Sequence, residues 1–326
     1  MWERKGTDEG HTKEGEKSDD EASGRASHVA LTEDLVRYMR RQSGVWFTTC
    51  EEVAAVAQQA AGMSGFDFSN AMVVVTGAGA GIGQGIAQAF HAAGGRVALG
   101  DLRKDAVERA AAGLGGERTF AGAVDVRDEK SVQTFFAAAE RALGPVTIAV
   151  ANAGIYPNCP VLDMTVEEWD RVMETNMRGV FLTCQAAARS MKAGARAGKI
   201  ITMSSGAYAS GRVGASHYCA SKAGVVMFTR VLAMELAEQR INVNCIAPGY
   251  IKVDSGTSPP SSDFEAALIK NTPWGRLGTP ADIAPAALFL ASPAADYVTG
   301  EVLAVNGGAF AGRMYLPLST PKADRR

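Results

Sequence analysis

The sequence predicts an α/β protein built on a doubly wound parallel sheet, a Rossmann fold, preceded by an amino-terminal extension. Two observations lead to this prediction. From about residue 71 onward, short apolar runs that suit strands buried on both faces alternate with segments of helical periodicity. The first apolar run leads directly into a glycine-rich turn and then a helix, which is the order of elements at a dinucleotide site. We therefore expect a single α/β domain over residues 63–326.

The residues before this domain have a different composition. Residues 1–27 are dense in charge, glycine and serine and contain few apolar side chains, which predicts a disordered charged tail. Residues 28–62 combine helical apolar spacing with a short strand pattern and a capping box, so we expect a small appended β/α segment. Since Met63 suits the first residue of an ordinary enzyme chain, the extension is interpreted as a fused remnant or the product of an upstream start codon.

Composition excludes several classes of function. The formal charge of −2 and the pI near 6.1 give no reason to expect nucleic acid or an anionic membrane as a partner. The five cysteines are scattered without a C-x-x-C spacing, which favours reduced thiols in the cytoplasm. The four histidines lack metal-ligand spacing, so no metal site is expected, and His217 is expected at the surface. No apolar run approaches the roughly 18 residues of a membrane span.

The glycine-rich turn follows the predicted first strand, 71–75, and reads TGAGAGIG over residues 76–83. Glycines let the backbone turn sharply and approach a pyrophosphate, whose charge the amides at the start of the next helix can accept. A lone glycine-rich turn is weak support, but its position between a first strand and an amphipathic helix favours a dinucleotide site. We expect the cofactor to contact Gly77, Gly79, Gly81, Ile82 and Gly83.

The end of the second predicted strand, 96–100, indicates which dinucleotide is bound. Asp101 follows it, and a carboxylate there can accept hydrogen bonds from the ribose hydroxyls and would repel a 2′-phosphate. Neither Ala80 nor Leu102, which also borders the expected site, supplies a cation for such a phosphate. NAD is therefore favoured over NADP. An acidic helix cap is the alternative interpretation of Asp101, and Arg103 argues in the other direction.

Further cofactor contacts are predicted where later strands end. The third strand is predicted to end at residues 124–126, with the Asp125 side chain and the Val126 backbone beside the adenine. The fourth, 146–150, leads into Asn152, Ala153 and Gly154, whose small side chains would let a ribose lie against the loop.

The sixth predicted strand, 242–246, precedes Pro248, Gly249 and Ile251, which turn above the same edge of the sheet. Residues 252–276 are rich in serine, proline and glycine and are predicted to form a substrate lid with a short helix at 263–270.

Tyr218 and Lys222 are four residues apart on a predicted helix and therefore face the same space. Bringing a phenol from a pKa of about 10 to about 7 needs roughly 4 kcal/mol. A unit charge about 4 Å away supplies about that much at an effective dielectric of about 20. An exposed i,i+4 pair is the alternative. Ser204 and Ser205 end the fifth predicted strand, 199–203, and Asn176 lies within a helix that Thr165 is predicted to cap.

Residues 70–310 resemble the short-chain dehydrogenase/reductase family. The motifs that carry this resemblance are TGAGAGIG (76–83), DV (125–126), NAGI (152–155), NMRG from Asn176, Ser205, YCASK (218–222), NVNCIAPGYI (242–251) and YVTGEVLAVNGG (297–308). The resemblance implies a nicotinamide cofactor, a catalytic set of Ser, Tyr, Lys and Asn, and a homotetramer or homodimer paired through the long helices and the final strand.

The resemblance also implies the role of each catalytic residue. Ser205 lies thirteen residues before Tyr218, as the family's catalytic serine does, which leaves Ser204 as a scaffold residue. Tyr218 is implied as the general acid/base, Lys222 as the group that favours its phenolate and holds the nicotinamide ribose, and Ser205 as a hydrogen-bond donor to the reacting oxygen. Asn176 would position a water that links Lys222 to solvent.

One position departs from the family pattern. The family commonly has Thr two residues after the Ile of P-G-x-I, in contact with the nicotinamide carboxamide, and this sequence has Val253 there. Thr257, Ser255 or the backbone of Ile251 is then the candidate for that contact.

The sequence thus predicts an NAD-dependent oxidoreductase that interconverts a secondary alcohol and a ketone by hydride transfer, with a small molecule as substrate and no nucleic-acid or membrane partner. One alternative within the class is an NADPH-dependent reductase of 3-oxoacyl thioesters or other carbonyls. Another alternative is a catalytically silent nucleotide-binding regulator or scaffold. The sequence leaves the substrate open among sugars, polyols, steroids and acyl thioesters.

A second, shorter resemblance concerns residues 24–61, which are similar to the carboxyl-terminal end of polysaccharide-deacetylase-like proteins. None of that family's metal-binding portion is present, so no deacetylase activity is expected.

Overall fold

The computed structural model describes residues 66–253 and 262–311. The predicted tail 1–27, the predicted segment 28–62 and part of the predicted lid, 254–261, lie outside the described residues.

Seven parallel strands form one sheet in the order β3-β2-β1-β4-β5-β6-β7. The strands are β1 Met72–Thr76, β2 Arg96–Asp101, β3 Thr119–Ala123, β4 Ile148–Ala151, β5 Gly198–Met203, β6 Ile241–Pro248 and β7 Val302–Val305. This order confirms the predicted doubly wound sheet. It reverses between β1 and β4, and a crevice for ligands opens at such a reversal, outside the carboxyl ends of the strands.

The connecting segments are mostly helical. The α-helices are α1 Gly81–Ala92, α2 Lys104–Ala112, α3 Glu129–Leu143, α4 Val166–Met173, α5 Gly179–Ala193, α6 Ser216–Leu236, α7 Ser262–Lys270 and α8 Pro280–Ala291. A π-helical turn, Glu174–Arg178, joins α4 to α5, and 3₁₀ turns cover Gly206–Tyr208, Ala237–Gln239 and Pro293–Ala295.

Both faces of the sheet are covered, which explains why its strands are continuous apolar runs. Along β1, Met72 and Val74 belong to a core shared with α3, α5 and α6, whereas Val73 and Val75 belong to a core shared with α1, α2 and α8. Because side chains alternate across a strand, every residue of β1 is buried.

The third strand and the helix that follows Thr165 differ from their predictions near the candidate site. The third strand ends at Ala123 and not at residues 124–126, because the chain turns after Val124 and the Asp125 amide donates to Ser131 Oγ at 2.9 Å. The helix capped by Thr165 begins as predicted, with Thr165 Oγ1 accepting from the Glu168 amide at 3.2 Å. It is interrupted by the π-helical turn, an irregularity often found at functional sites.

Candidate active site

The glycine-rich turn occupies the crevice between β1 and β4. Gly77 and Gly81 have φ angles of 65° and 59°, where other residues are strained. A Cβ on Gly83 would lie 2.2 Å from the Gly77 carbonyl oxygen. The N-cap residue of α1, Ala80, provides no side-chain cap, which leaves the first amides of the helix to an anion. This cradle fits the diphosphate of a dinucleotide.

Asn152 braces this turn from the neighbouring strand. Its Nδ2 donates to the carbonyl oxygens of Thr76 and Gly77 at 2.9 and 3.1 Å. Because both side-chain amide protons are used in this way and the main-chain amide donates to Thr76 Oγ1 at 3.2 Å, Asn152 has its Oδ1 and its carbonyl oxygen left for a cofactor. The predicted cofactor residue is therefore also a support of the turn.

Asp101 lies beside Gly79 at the end of β2. One carboxylate oxygen accepts from the Gly79 amide at 3.0 Å and the other from the Arg103 amide at 3.0 Å. The side chain is 13% exposed, so a ribose hydroxyl can still reach it. The Arg103 Nε is 3.8 Å from the carboxylate and its side chain is 55% exposed, while Leu102 is also exposed. The carboxylate that favours NAD and the guanidinium that favours NADP thus lie side by side.

The two residues predicted to contact the adenine, Asp125 and Val126, have side chains that are already engaged within the protein. Arg127 donates to both oxygens of the Asp125 carboxylate, with Nε at 2.9 Å from Oδ1 and Nη2 at 2.7 Å from Oδ2. The Arg127 guanidinium holds the pKa of Asp125 below its usual value. Val126 is buried, and a Cβ on Gly179 would lie 2.6 Å from its Cγ2. Only the main chain of Val126 therefore remains for a ligand.

The turn after β6 lies at the same edge of the sheet. Pro248 is the last residue of β6 and is buried, and the Gly249 amide donates to the Val305 carbonyl at 2.9 Å. Ile251 pairs with Gly278 in an isolated bridge. Val253 lies over the start of α1, with its Cγ1 3.3 Å from the position of a Cβ on Gly81. Thr257 and Ser255, the expected substitutes, lie outside the described residues.

Ser205 and Tyr218 meet at the carboxyl edge of the sheet. Ser205 lies close enough to the Tyr218 phenol to lower its pKa, and Ser205 Oγ accepts from the Ala207 amide at 3.2 Å. Ser204 points away and donates from Oγ to the Lys222 carbonyl at 2.8 Å, in keeping with its expected scaffold role. The structure thus separates the two adjacent serines by their contacts.

Lys222 is buried next to this pair. Its Nζ donates to the Met203 carbonyl at 2.9 Å and lies 5.7 Å from the centroid of the Tyr218 ring. A Cβ on Gly154 would lie 3.5 Å from this Nζ and 3.2 Å from Asn176 Oδ1. The loop after β4 therefore borders both candidate catalytic side chains.

Asn176 is fully buried within the π-helical turn. Its Oδ1 accepts from the Ile155 amide at 2.9 Å, and its Nδ2 donates to the Ile155 carbonyl at 2.9 Å and to Ser221 Oγ at 3.1 Å. Asn176 thus ties the loop after β4 to α6, which carries Tyr218 and Lys222.

The pKa shifts correct one sequence expectation. Burial raises the pKa of Tyr218, opposed by the Ser205 hydrogen bond and the Arg212 guanidinium. Burial lowers the pKa of Lys222 to about 8. The prediction that Lys222 brings the pKa of Tyr218 near neutrality is therefore wrong for the protein alone. The Lys222 ammonium donates to the Met203 carbonyl, and burial of the phenol outweighs the two groups that lower its pKa, Ser205 and Arg212.

The site also contains residues that the sequence analysis did not identify. The Arg212 Cζ lies 5.9 Å from the Tyr218 ring centroid, and the Tyr156 ring lies 6.5 Å away in an edge-on arrangement. Phe310 packs on Gly206, where a Cβ would lie 1.9 Å from its ring. No spacing rule identifies such contacts, because they join separate loops. His217, expected at the surface, is instead fully buried, and neither ring nitrogen has a hydrogen-bond partner among the described residues.

The described part of the chain offers neither a cluster of metal-ligating side chains nor a membrane-spanning helix. Over residues 66–253 and 262–311, no group of three or more His, Cys, Asp or Glu residues could hold a metal ion. No helix in these ranges combines the length and apolarity that a membrane crossing requires.

Comparison with known proteins agrees with the geometry. Residues 77–309 match the family model described as enoyl-(acyl carrier protein) reductase. A 3-oxoacyl-(acyl-carrier-protein) reductase, FabG, of Chlamydia muridarum (strain MoPn / Nigg) is 38% identical over 242 residues, 73% of this chain and 97% of the relative. Galactitol 2-dehydrogenase (L-tagatose-forming) of Cereibacter sphaeroides is 42% identical over 247 residues, 74% of this chain and 96% of the relative.

A solved structure shares the fold. The crystal structure of a short-chain type dehydrogenase/reductase from Mycobacterium marinum superposes with a TM-score of 0.73 at 37% identity, covering 77% of this chain and 99% of that one. The family model does not extend over residues 24–61, so their resemblance to deacetylase-like proteins stays a prediction. From the matched residues and the shared fold, the chain belongs to the short-chain dehydrogenase/reductase family and is an oxidoreductase.

Proposed function

We propose that this protein interconverts a secondary alcohol and a ketone by hydride transfer, with NAD as its cofactor. The observation that carries the proposal is the convergence of Ser205, Tyr218 and Lys222 beside Gly154, next to the glycine-rich turn. The likeness to galactitol 2-dehydrogenase, whose name describes oxidation within a polyol, supports the same reaction.

Different residues would bind different parts of the cofactor. Gly77, Gly79, Gly81 and the first amides of α1 would bind the diphosphate, and Asp101 would accept hydrogen bonds from the adenosine ribose. When bound, the nicotinamide accepts a hydride from an alcohol or supplies one to a ketone.

Side chains of the protein would transfer the proton of the reacting hydroxyl group. Ser205 would donate a hydrogen bond to the reacting oxygen, and Tyr218 would exchange a proton with it. Because burial raises the pKa of Tyr218, the phenol is protonated at neutral pH and ready to protonate the oxygen of a ketone as it is reduced. Oxidation needs the phenolate, so this direction should gain rate as the pH rises.

Lys222 and Asn176 would support this exchange. The Lys222 ammonium can stabilise the phenolate electrostatically and can hold a ribose hydroxyl with the protons that Met203 does not use. Asn176 uses both amide protons on protein groups and leaves one acceptor site on Oδ1 for a relay water. We infer that its larger contribution is to position the Ile155 loop and α6.

The test is a steady-state survey. The purified full-length protein is assayed with NAD and NADP against polyols, other secondary alcohols and the matching ketones, with nicotinamide absorbance as the readout. Turnover with a preference for NAD is expected. A preference for NADP would contradict the cofactor proposal, and cofactor binding without turnover of any compound would favour a silent regulator or scaffold.

A second candidate function is NADPH-dependent reduction of 3-oxoacyl thioesters. Two observations favour it: the likeness to the 3-oxoacyl-(acyl-carrier-protein) reductase, and the exposed Arg103 side chain beside Asp101, whose guanidinium can pair with a 2′-phosphate. NADPH oxidation with an acetoacetyl thioester, compared with NADH oxidation with a ketose, distinguishes the two candidates.

We also propose a homodimer or homotetramer. The outer faces of α5 and α6 expose large apolar side chains, Phe181, Met227, Val231 and Met234, the last with 72% of its surface exposed. Light scattering of the purified protein tests this assembly, and a monomer would contradict it. A cytoplasmic location is proposed from the free thiols of Cys159, Cys184, Cys219 and Cys245, and fractionation of cells tests it.

A further inference from the structure

Arg212 stands at the mouth of the candidate active site, on the loop between Ser205 and Tyr218. Its Cζ lies 5.9 Å from the centroid of the Tyr218 ring. Its Nη2 donates to Asn158 Oδ1 at 2.9 Å, a bond that joins it to the loop after β4. The same two loops are tied by the Cys159 amide, which donates to the Gly214 carbonyl at 2.7 Å. The guanidinium is therefore held in place although the residue is exposed.

Within residues 66–253 and 262–311, no carboxylate forms an ion pair with this guanidinium. The nearby acids, Glu168 and Asp163, lie close to Cys159. Burial raises the pKa of Cys159, and the two acids raise it further. A guanidinium has five N–H donors, and the bond to Asn158 uses one of them. The other N–H donors of this charged and oriented guanidinium thus remain for a ligand.

We propose that Arg212 binds a carboxylate of the substrate, so that the protein acts on hydroxy acids and the matching keto acids. The proposal rests on the proposed function, because the substrate hydroxyl is taken to lie at Tyr218. A planar guanidinium pairs with a carboxylate through two parallel hydrogen bonds, which also fixes the orientation of the carbinol carbon.

A carboxylate fits this place better than a phosphate. A phosphate monoester carries close to two negative charges at neutral pH and is usually bound by several cations or a helix start. Arg212 is a single cation, and Asp163 and Glu168 on the adjoining segment add negative charge to the surroundings. A singly charged planar anion is therefore the matching partner.

Turnover of a matched pair tests the proposal. The racemic substrates 3-hydroxybutyrate and its methyl ester differ in the carboxylate charge and are compared in the wild type, in Arg212→Gln and in Arg141→Gln. Arg141 is an exposed arginine in the last turn of α3, and the chain runs from there to the start of β4, at the edge of the sheet opposite to the candidate site. Arg141→Gln is therefore the control. The Arg212→Gln variant should lose about 10- to 100-fold more kcat/KM for the acid than for the ester, mainly through KM.

Two further variants separate binding from an indirect effect. Arg212→Lys keeps the charge without the planar guanidinium and should recover part of the loss, and Asn158→Ala should show a smaller loss of the same kind. Equal losses for acid and ester would overturn the proposal, because they would mean that Arg212 acts only through Tyr218 or through folding. A wild-type enzyme that prefers the ester would overturn it as well.

Binding is measured independently of turnover. Calorimetry of the NAD-loaded protein with acetoacetate or its methyl ester reports affinity, because a ketone cannot react with the oxidised cofactor. Acetoacetate should bind to the wild type and lose at least tenfold in affinity in Arg212→Gln. No acetoacetate binding to the wild type would overturn the proposal. Arg212-dependent binding without turnover of any alcohol would instead contradict the proposed function and leave the carboxylate site standing.

Discussion

The carboxylate of Asp101 and the backbone amide of Gly79 are joined by a hydrogen bond of 3.0 Å. This bond couples the residue expected to choose the cofactor to the turn expected to hold the diphosphate. A Cβ on Gly79 would lie 2.9 Å from the same carboxylate oxygen, so the contact depends on glycine. Cofactor choice and loop geometry therefore depend on one side chain.

Asp101→Ala should lower kcat/KM with NAD about 10- to 100-fold, because hydrogen bonds from a ribose to a charged acceptor are lost. The ratio of NAD to NADP activity should fall, since the repulsion of a 2′-phosphate disappears and Arg103 remains. Steady-state kinetics with both cofactors measure this ratio. The control is Asp105→Ala, which removes an exposed acid paired with Arg109 on α2. A ratio that Asp101→Ala leaves unchanged would contradict the assignment.

Tyr218→Phe should lower kcat about 10²- to 10⁴-fold, because the variant keeps the ring packing and loses the proton carrier. Cofactor affinity, measured by fluorescence titration, should stay within about twofold of the wild type. Tyr208→Phe is the matched control, since Tyr208 packs against the core close to Ser205. Near-normal turnover in Tyr218→Phe would reject the proposed mechanism.

Lys222→Met should stabilise the protein at neutral pH. The folded-state pKa is about 8 against an ordinary value of 10.5, so below pH 8 the wild type bears the cost of a buried ammonium, roughly 3 kcal/mol. Between these two pH values the unfolded chain holds a proton that the folded protein lacks. Wild-type stability therefore rises with pH in this window, and the advantage of the variant shrinks.

Urea unfolding of the wild type and of Lys222→Met, below and above this window, measures the effect. The lost hydrogen bond to Met203 offsets part of the gain at every pH. A stability difference that does not change with pH would mean that the Lys222 pKa is not lowered.

Asn176→Ala should cost about 2–4 kcal/mol of the free energy of unfolding, because it leaves the part-buried amide and carbonyl of Ile155 without their side-chain partner and removes one of the two hydrogen bonds of Ser221 Oγ. Turnover should fall with it, since the loop after β4 and α6 lose their connection. Thr175→Ala is the control, as this neighbour makes a single bond to the Arg171 carbonyl within its own helical segment. A loss no larger than the control's would refute the positioning role.

Gly206→Ala should cost about 1–3 kcal/mol, because the new methyl group would overlap the Phe310 ring. Adding Phe310→Ala should recover most of the packing loss that Gly206→Ala causes, which a double-mutant cycle of unfolding free energies measures. Gly211→Ala is the control, since a Cβ there meets nothing within 4 Å. Additive effects of the two substitutions would mean that Phe310 does not occupy this space.

Much of the fold followed from local pattern. The apolar run of β1 predicted a strand covered on both faces, and the alternation of strands and helices predicted the doubly wound sheet. The boundaries were less predictable. The third strand stops before Val124 because Ser131, six residues beyond Asp125, accepts from the Asp125 amide.

Sequence alone determined the chain's chemical parts: a glycine-rich turn, an acid after the second strand, and a serine, tyrosine and lysine at family spacing. Spacing works there because strand ends and helix turns repeat with fixed geometry. Tertiary structure decided the electrostatics. Burial raises the pKa of Tyr218, the Lys222 ammonium donates to the Met203 carbonyl, and the loop before α6 places Arg212 beside the Tyr218 ring. Desolvation and contacts between distant loops depend on the whole packed molecule, and no local pattern encodes them.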